Sequence, residues 1–530
     1  MAALLFFLYK KHILNLYDYH MSFAKVYTVT QSHLKSEIIT VEADVSKGLH
    51  HFAIVGLADK TVEESKERCS LALKHSGFRS PRASNEKILI SLAPAHIRKS
   101  GTVFDIAISV GYLIASDQIR CDVSNVIFLG ELSLNGDIKR VKGIIPMIQK
   151  AITEGYMEVC IPEENSEEAQ VLSKHITITP LKNIKSCIDH ILKTKRILKL
   201  KFSKNKSLNT DKSTTVLFDH IKGNEVAKRA LLIALCGGHN ICLYGPPGTG
   251  KTMLAKASAS ALPELSFDEQ VELTSIYSLS NEYQFKIQTN PPFRSPHHSA
   301  SYTSIVGGGK EIVPGEITLS HRGILFLDEF PEFERRVIDS LRQPLEDRRI
   351  CISRAGQKVE FPCNFQLLCS MNPCPCGYLN TGIKECTCSP SQIQKYNKKI
   401  SGPILDRIQM WVEVSKITYE KLAQDNEEGI SQHQLIKESI RHTHTLQKTT
   451  FGALSAHLDN SALIKNITLT QELKIFYDTL ASRLSLSARS YFNILKVALT
   501  ISLIENKNSI LKEHILEALS YRPQDGFVSM

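Results

Sequence analysis

The 530-residue chain lacks the long apolar runs that a membrane span requires. A transmembrane helix needs about 18 or more consecutive apolar residues, and no such run occurs here. The segment 1–20 begins with apolar residues, but its lysines follow the apolar part, whereas the charge of a secretory signal precedes it. The sequence therefore predicts no membrane partner, and it predicts that 1–20 is an extension ahead of a functional start at Met21.

A disulfide scaffold and a strong charge of one sign are also missing. Nine of the thirteen cysteines stand singly and four form one cluster, which is typical of a reducing cytoplasm. Lysine and arginine total 64 against 54 for aspartate and glutamate. This modest excess permits an anionic partner without requiring one. We therefore expect a cytoplasmic protein of about three or four domains.

One stretch carries a nucleotide-binding signature. The apolar run 240–244 precedes the sequence GPPGTGKT at 245–252, and a helix-forming run follows at 253–262. In such a loop the glycines turn backbone N–H groups inward, the lysine reaches the β- and γ-phosphates, and the hydroxyl binds Mg²⁺. The sequence thus predicts an ATP and Mg²⁺ site at Gly245, Pro246, Pro247, Gly248, Thr249, Gly250, Lys251 and Thr252.

Polar side chains end two further apolar runs, which we predict to be buried strands. The run 323–327 ends in Asp328 and Glu329, and the run 365–371 ends in Asn372. Asp328 is predicted to hold Mg²⁺ through water, and Glu329 to orient and deprotonate the attacking water. Asn372 is predicted to contact the γ-phosphate or that water. The run 271–274 is predicted to be another strand.

Two basic features accompany this core. The long polar excursion before residue 323 contains Arg294, His297, His298 and Lys310, and residues 349–361 form two alternating runs around a glycine turn, with Arg354 and Lys358 near the tip. Lysine and arginine grip nucleic-acid phosphates without reading bases. The alternative for each of the four basic residues is ordinary surface charge. The paired histidines are either pore contacts or structural.

The cysteine cluster consists of two Cys-X-Cys pairs separated by nine residues: Cys374, Cys376, Cys386 and Cys388. Four thiolates this close suit a tetrahedral Zn²⁺. The Cys-X-Cys spacing is less usual for zinc than Cys-X-X-Cys. The alternative is a metal-free turn with reduced cysteines.

The pattern of runs indicates an α/β protein. Short apolar runs alternate with amphipathic segments from 26 to 192, a lysine-rich polar segment follows, and helical periodicity runs from 473 to 519. The predicted organisation is an extension at 1–20, an α/β domain at 21–195, a linker at 196–215, a nucleotide-binding core at 216–415 that includes the cluster at 374–388, and a helical lid at 416–530.

Taken in order, the motifs at 245–252, 293–299, 323–329, 371–377, 401–407 and 486–496 resemble those of the YifB/ComM family of magnesium-chelatase-like AAA+ ATPases. The resemblance implies a Lon-protease-like (ribosomal-S5-like) α+β domain, an AAA+ P-loop core with inserts and a C-terminal helical lid. It also implies a homo-hexameric ring. By position, Asn372 matches the first sensor, Arg407 the arginine finger and Arg489 the second sensor.

The resemblance further implies an ATP-hydrolysing motor that acts on single-stranded or branched DNA. ComM-type members are similar to branch-migration helicases that aid integration of incoming DNA in natural transformation. The alternatives are a chelatase-type ATPase that remodels a protein and an ATP-dependent protease. The protease is the least favoured, because 101–105 offers no serine nucleophile, although Ser100, Thr102 and Lys139 lie nearby.

Overall fold

The computed structural model describes residues 23–32, 34–83, 85–99, 101–195, 197–201, 216–280, 282–309, 312–354, 357–382, 384–416, 431–507 and 509–523. The chain divides into two compact units, the first comprising 1–208 with 277–287 and the second 209–276 with 288–530. No helix among the described residues is long and apolar enough to cross a membrane. The predicted extension, most of the predicted linker and Lys310 lie outside the described residues.

The first unit is built around a mixed sheet. Its strands are β1 (Phe23–Ser32), β2 (Lys35–Lys47), β3 (His51–Val55), β4 (Glu86–Ala93), β5 (Val126–Phe128), β6 (Glu131–Leu132), β7 (Ile138–Lys139), β8 (Glu158–Pro162) and β9 (Thr177–Leu181). Seven of them form one sheet in the order β3-β4-β2-β1-β5-β8-β9, and β6 pairs with β7 as a hairpin. Apolar side chains alternate inward along β2, because successive strand residues point to opposite faces.

The helices of the first unit are α1 (Lys60–Glu63), α2 (Ser65–His75), α3 (Asp105–Ala115), α4 (Ile144–Thr153), α5 (Ser166–Ala169) and α6 (Ile184–Ile191). Every residue of α3 is buried, and α3 packs on β1 and β2. Its one charged residue, Asp105, accepts two hydrogen bonds from Arg68, at 2.8 and 3.1 Å. This pairing allows a carboxylate to lie inside the core.

The second unit contains a parallel sheet. Its strands are β10 (Ile241–Tyr244), β11 (Phe293–Arg294), β12 (Gly307–Gly308), β13 (Val313–Pro314), β14 (Ile324–Leu327), β15 (Arg349–Arg354), β16 (Gln357–Pro362), β17 (Gln366–Met371) and β18 (Met410–Glu413). Five strands run parallel in the order β11-β14-β17-β10-β18. β10 and β14 are buried at every position, as expected for a parallel sheet covered on both faces. This order brings the carboxyl ends of β14, β17 and β10 side by side.

The helices of the second unit begin with α7 (Glu225–Gly237), α8 (Lys251–Ala261), α9 (Phe267–Tyr277), α10 (Tyr302–Val306), α11 (Glu316–Leu319), α12 (Arg335–Ser340), α13 (Arg342–Asp347), α14 (Pro390–Asn397) and α15 (Gly402–Leu405). The C-terminal helices are α16 (Gln432–Phe451), α17 (Asn460–Asn466), α18 (Gln471–Arg483), α19 (Ala488–Ile504) and α20 (Lys512–Ser520). The predicted fold class, a mixed α/β protein with a helical C-terminal region, is confirmed.

The strand predicted at 271–274 is wrong, because these residues lie inside α9. Ser266 and Glu269 form a capping box at its start, with Glu269 accepting from the Ser266 amide at 2.9 Å. Thr274 and Ser275 donate their hydroxyl hydrogens to carbonyls one turn back. The hydroxyl groups of both residues are therefore accommodated within the helix.

Candidate functional site

The loop at 245–250 joins the end of β10 to the start of α8. Gly250 has a φ of 86° at the helix N-cap, a conformation that glycine adopts at little cost. The ammonium group of Lys251 donates to the carbonyl oxygens of Gly245 and Pro246, both at 2.8 Å. Burial lowers the pKa of Lys251, so an anionic phosphate in the loop would stabilise its charged form. The loop is therefore folded around its lysine.

The two predicted Mg²⁺ ligands are in direct contact. Thr252 Oγ1 donates to Asp328 Oδ2 at 2.9 Å. The other carboxylate oxygen of Asp328 accepts from the Ser370 hydroxyl and from the Glu329 amide, the latter at 3.1 Å. These bonds fix the carboxylate beside the hydroxyl. Sequence reasoning missed Ser370, although a lone serine among the apolar residues 367–371 of β17 was a usable signal.

Asn372 joins the third strand end to this group. Its side-chain oxygen accepts from Lys251 Nζ at 3.3 Å. The structure thus brings together five residues that the sequence predicted from three separate strand ends: Lys251, Thr252, Asp328, Glu329 and Asn372. We call these five residues the phosphate cluster.

Glu329 has an unusual conformation and an unpredicted neighbour. Its φ is 53°, which is uncommon for a residue with a side chain. Its Oε2 atom lies 3.3 Å from His298 Nδ1, and the His298 ring packs on His297 with centroids 4.1 Å apart. His298 therefore contacts the phosphate cluster and His297 packs behind it, an arrangement that the sequence did not predict.

Arg407 and Arg489 lie apart from the phosphate cluster. The main-chain carbonyl of Arg407 accepts from Asn240 Nδ2 at 2.9 Å, beside the amino end of β10. The phosphate loop follows the other end of that strand, and the four residues of β10 span about 13 Å. The guanidinium of Arg407 binds Glu346, and Arg489 lies 3.7 Å from the same carboxylate. The two arginines therefore share the carboxylate of Glu346, and none of these contacts is with the phosphate loop.

The four clustered cysteines lie within metal-binding distance of one another. The Sγ atoms of Cys374, Cys376 and Cys386 are separated by 3.3, 3.5 and 3.7 Å, and all four Sγ atoms, including that of Cys388, lie within 4.8 Å. A Zn–S bond of about 2.3 Å in a tetrahedron implies S···S separations of about 3.8 Å. The donor set and its spacing therefore fit Zn²⁺.

The cysteine segment also packs against the phosphate loop. Gly377 has a φ of 84°, and a Cβ atom at this position would lie 2.8 Å from Pro247 Cδ. Any larger residue at 377 would push against the loop. The Cys374–Cys388 segment is therefore placed to support the phosphate loop.

The basic residues predicted to bind DNA phosphates lie in different surroundings. Arg294 is bound by Glu316 through two hydrogen bonds of 2.6 and 2.7 Å, and its side chain is 20% exposed. A contact of Arg294 with a DNA phosphate stays a prediction. β15 and β16 pair along six residues as the predicted hairpin, and Lys358 on it is exposed. The hairpin turn and Lys310 lie outside the described residues, and of Arg354 only the main chain is described.

Thr102 and Lys139, two residues near the predicted protease position, each lie beside a carboxylate. Thr102 Oγ1 donates to Glu131 at 2.5 Å, and Lys139 lies 3.9 Å from Asp137. Ser100 lies outside the described residues. The arrangement of Thr102 and Lys139 therefore gives no support to a protease.

Three family models match most of the chain. "Magnesium chelatase, subunit ChlI" matches residues 217–422, "Subunit ChlI of Mg-chelatase" matches 41–165, and "Magnesium chelatase, subunit ChlI C-terminal" matches 431–522. The phosphate cluster lies within the first of these ranges. Arg489 lies within the third.

Curated relatives match over nearly the whole length. Competence protein ComM of Haemophilus influenzae is 38% identical over 505 residues, covering 95% of this chain and 98% of its own. YifB of Salmonella typhimurium is 37% identical over 512 residues, covering 95% and 98%. Lon protease 2 of Bacillus subtilis is 29% identical over 152 residues, 27% of each chain. The chain therefore belongs to the YifB/ComM family of magnesium-chelatase-like AAA+ ATPases.

Proposed function

We propose that this protein is an ATP-driven homo-hexameric ring motor on DNA, acting as a branch-migration helicase that aids integration of incoming DNA. The observation that carries the proposal is the division of the site. The phosphate cluster is gathered within one subunit, whereas Arg407 lies beside the opposite end of β10. A subunit of this form needs a neighbour to complete its hydrolysis site.

Within one subunit the proposed roles follow from the contacts. Lys251 would bind the β- and γ-phosphates in place of the carbonyls that it now contacts. Thr252 and Asp328 would hold Mg²⁺, which when bound neutralises charge on those phosphates. Glu329 would orient and deprotonate the attacking water, with Asn372 beside it. The contact of His298 with Glu329 restricts the position of that base.

A neighbouring subunit would supply the remaining positive charge. An arginine finger stabilises the charge that develops on the transferred phosphoryl group. Arg407 is placed beside the amino end of β10, and Arg489 shares Glu346 with it. We therefore assign both arginines to the nucleotide of the next subunit in the ring.

The DNA part of the proposal is supported by the hairpin and by the relatives. β15 and β16 form a two-stranded ribbon that carries the exposed Lys358, and a cationic ribbon is suited to phosphate contacts that do not depend on sequence. The Haemophilus relative is named a competence protein. Single-stranded or branched DNA is therefore the proposed partner.

The test is to measure ATP hydrolysis by the full chain with and without single-stranded, forked and three-stranded DNA, together with strand displacement. We expect stimulation by DNA and displacement that depends on ATP. Hydrolysis without any DNA effect over a range of salt concentrations would overturn the helicase proposal. A chelatase-type ATPase that remodels a protein, the class named by the matching family models, would then take its place.

Zinc in the cysteine cluster is part of the same proposal. The four Sγ positions fit a tetrahedral site, and Gly377 connects that site to the phosphate loop. The metal would hold the segment closed and so support the loop, a structural role that requires no open coordination position.

A further inference from the structure

Glu346 is the point at which three elements of the second unit meet. It lies on α13, while Arg407 follows α15 and Arg489 lies in the first turn of α19. One carboxylate oxygen binds Arg407, and the other lies 3.7 Å from Arg489 Nη2. A single carboxylate thus contacts both arginines that the proposed mechanism assigns to a neighbour.

The pairing is partly shielded from solvent. The Arg407 side chain is only 11% exposed, whereas Glu346 is 53% exposed. Arg407 also donates to the carbonyl oxygen of Pro403 at 2.6 Å. The hydrogen bond from Arg407, and then the charge of Arg489, lower the pKa of Glu346. The carboxylate is therefore ionised at neutral pH and offsets the repulsion between two neighbouring guanidinium groups.

A second contact fixes the same elements. Asn493, one turn after Arg489 on α19, donates from Nδ2 to the carbonyl oxygen of Asp406 at 3.2 Å. Asp406 immediately precedes Arg407 in the chain. Helix α19 is therefore held against the loop of Arg407 by two neighbouring interactions. Of the two, the Glu346 bridge is the one that contacts the guanidinium groups of Arg407 and Arg489.

We propose that Glu346 is a positioning residue that presents Arg407 and Arg489 as one unit to the nucleotide of a neighbouring subunit. This inference rests on the proposed role of Arg407 in trans. Without the carboxylate the two like charges separate, and the side chain of Arg407 loses one of its two fixed hydrogen bonds. Transition-state stabilisation falls because it depends on the placement of the guanidinium groups.

The experiment compares full-length wild type with Glu346→Gln, Arg407→Ala and the double variant in steady-state ATP hydrolysis. Glu346→Gln should lower kcat about tenfold or more, since small misplacements of catalytic groups have effects of this size. The KM for ATP should stay unchanged, because the phosphate cluster is intact. Adding Glu346→Gln to Arg407→Ala should cause little further loss, because the two residues act through one interaction.

The matched control is Glu517→Gln. Glu517 also joins a lid helix to the core through an arginine, lying 3.0 Å from Arg229. We expect this variant to lower thermal stability while leaving kcat unchanged. Glu346→Asp, which keeps the charge on a shorter side chain, should recover part of the lost kcat and serves as the second variant if Glu346→Gln does not fold.

Several results would overturn the inference. They are an unchanged or raised kcat in Glu346→Gln, a loss that adds fully to that of Arg407→Ala, or equal losses in Glu346→Asp and Glu346→Gln. If Arg407→Ala itself hydrolyses ATP normally, the proposed role of Arg407 fails first. If hydrolysis behaves as expected but DNA has no effect, only the helicase proposal fails.

Discussion

The two halves of the proposed hydrolysis site differ in how they are built. The phosphate cluster stands at three adjacent strand ends, and its side chains contact one another directly, as in the bonds from Lys251 to Asn372 and from Thr252 to Asp328. The arginine pair, Arg407 and Arg489, lies on loop and lid elements, with the main chain of Arg407 beside the opposite end of β10 and both side chains at Glu346. One half is assembled by the sheet, whereas the guanidinium groups of the other are bridged by one carboxylate.

This difference indicates how ATP hydrolysis would depend on assembly. The sheet fixes the phosphate cluster whenever the subunit is folded, so nucleotide binding should not need a neighbour. The arginine pair is folded but lies away from the phosphates of its own subunit, so hydrolysis should need one. Substitutions in the two halves should therefore separate ATP binding from ATP hydrolysis.

Apart from substitution of Arg407 itself, the largest effect is expected when the phosphate cluster is changed. Glu329→Gln should bind ATP yet lose at least about 100-fold in kcat, because the general base is removed. Lys251→Ala should instead weaken ATP binding, because it removes the cation of the loop. Binding of a fluorescent ATP analogue and steady-state hydrolysis distinguish the two. Near-normal hydrolysis by Glu329→Gln would remove Glu329 from its assigned role.

Much of the phosphate cluster was predictable from sequence because its signals are local. A phosphate loop is a continuous stretch, and the pair Asp328-Glu329 and the single residue Asn372 each directly follow an apolar run. Fully buried parallel strands appear in a sequence as uninterrupted apolar runs. The parallel order of the strands then brings the three ends together.

The contacts that were missed join residues far apart in the chain. Glu346 lies 61 residues from Arg407, and the bond between Arg294 and Glu316 spans 22 residues. No local pattern marks an ion pair of this kind. The error at 271–274 is different, because the capping box of Ser266 and Glu269 was visible in the sequence and its helical signal was overlooked.

Removing a cysteine should weaken the phosphate cluster indirectly. Cys376→Ser should reduce bound zinc from about one per chain and lower ATP affinity up to about tenfold, an effect typical of losing support around a site. The control is Cys121→Ser, because Cys121 is a free cysteine in the other unit. This variant should change neither the zinc content nor the ATP affinity. Elemental analysis and nucleotide titration are the measurements. If elemental analysis finds no metal in wild-type protein prepared without chelators, the zinc assignment is refuted.

A charge reversal on the β15–β16 hairpin should weaken DNA binding while leaving both halves of the hydrolysis site intact. Lys358→Glu should weaken DNA binding and reduce its salt slope by about 1, the amount expected for one phosphate contact. Hydrolysis without DNA should not change. Lys465→Glu, an exposed lysine on a lid helix, is the control. Equal weakening by both variants would show a general charge effect instead of a contact at the hairpin.

The smallest effect is expected at Glu272, which supports the fold away from both halves. Its pKa is lowered to about 2, first by His321, whose Nε2 atom lies 3.2 Å from the carboxylate, and then by the charge of Arg322, which lies at 2.9 Å. A depressed carboxyl pKa stabilises the fold above the unfolded value near 4.3, and this contribution is lost as pH falls toward about 2. Glu272→Gln should therefore lower Tm by about 2–4 °C at pH 7 and by less at pH 3. An equal difference in thermal unfolding at both pH values would contradict this assignment.

The central claim is that Arg407 acts on the nucleotide of a neighbouring subunit. Arg407→Ala should bind ATP yet lose hydrolysis by about 10³ or more, the effect of an arginine finger. Mixing it with Glu329→Gln creates some interfaces that combine an intact Glu329 from one variant with an intact Arg407 from the other. The account predicts that such mixtures recover part of the wild-type hydrolysis rate. Mixtures that co-assemble by size-exclusion chromatography yet never recover activity would contradict it.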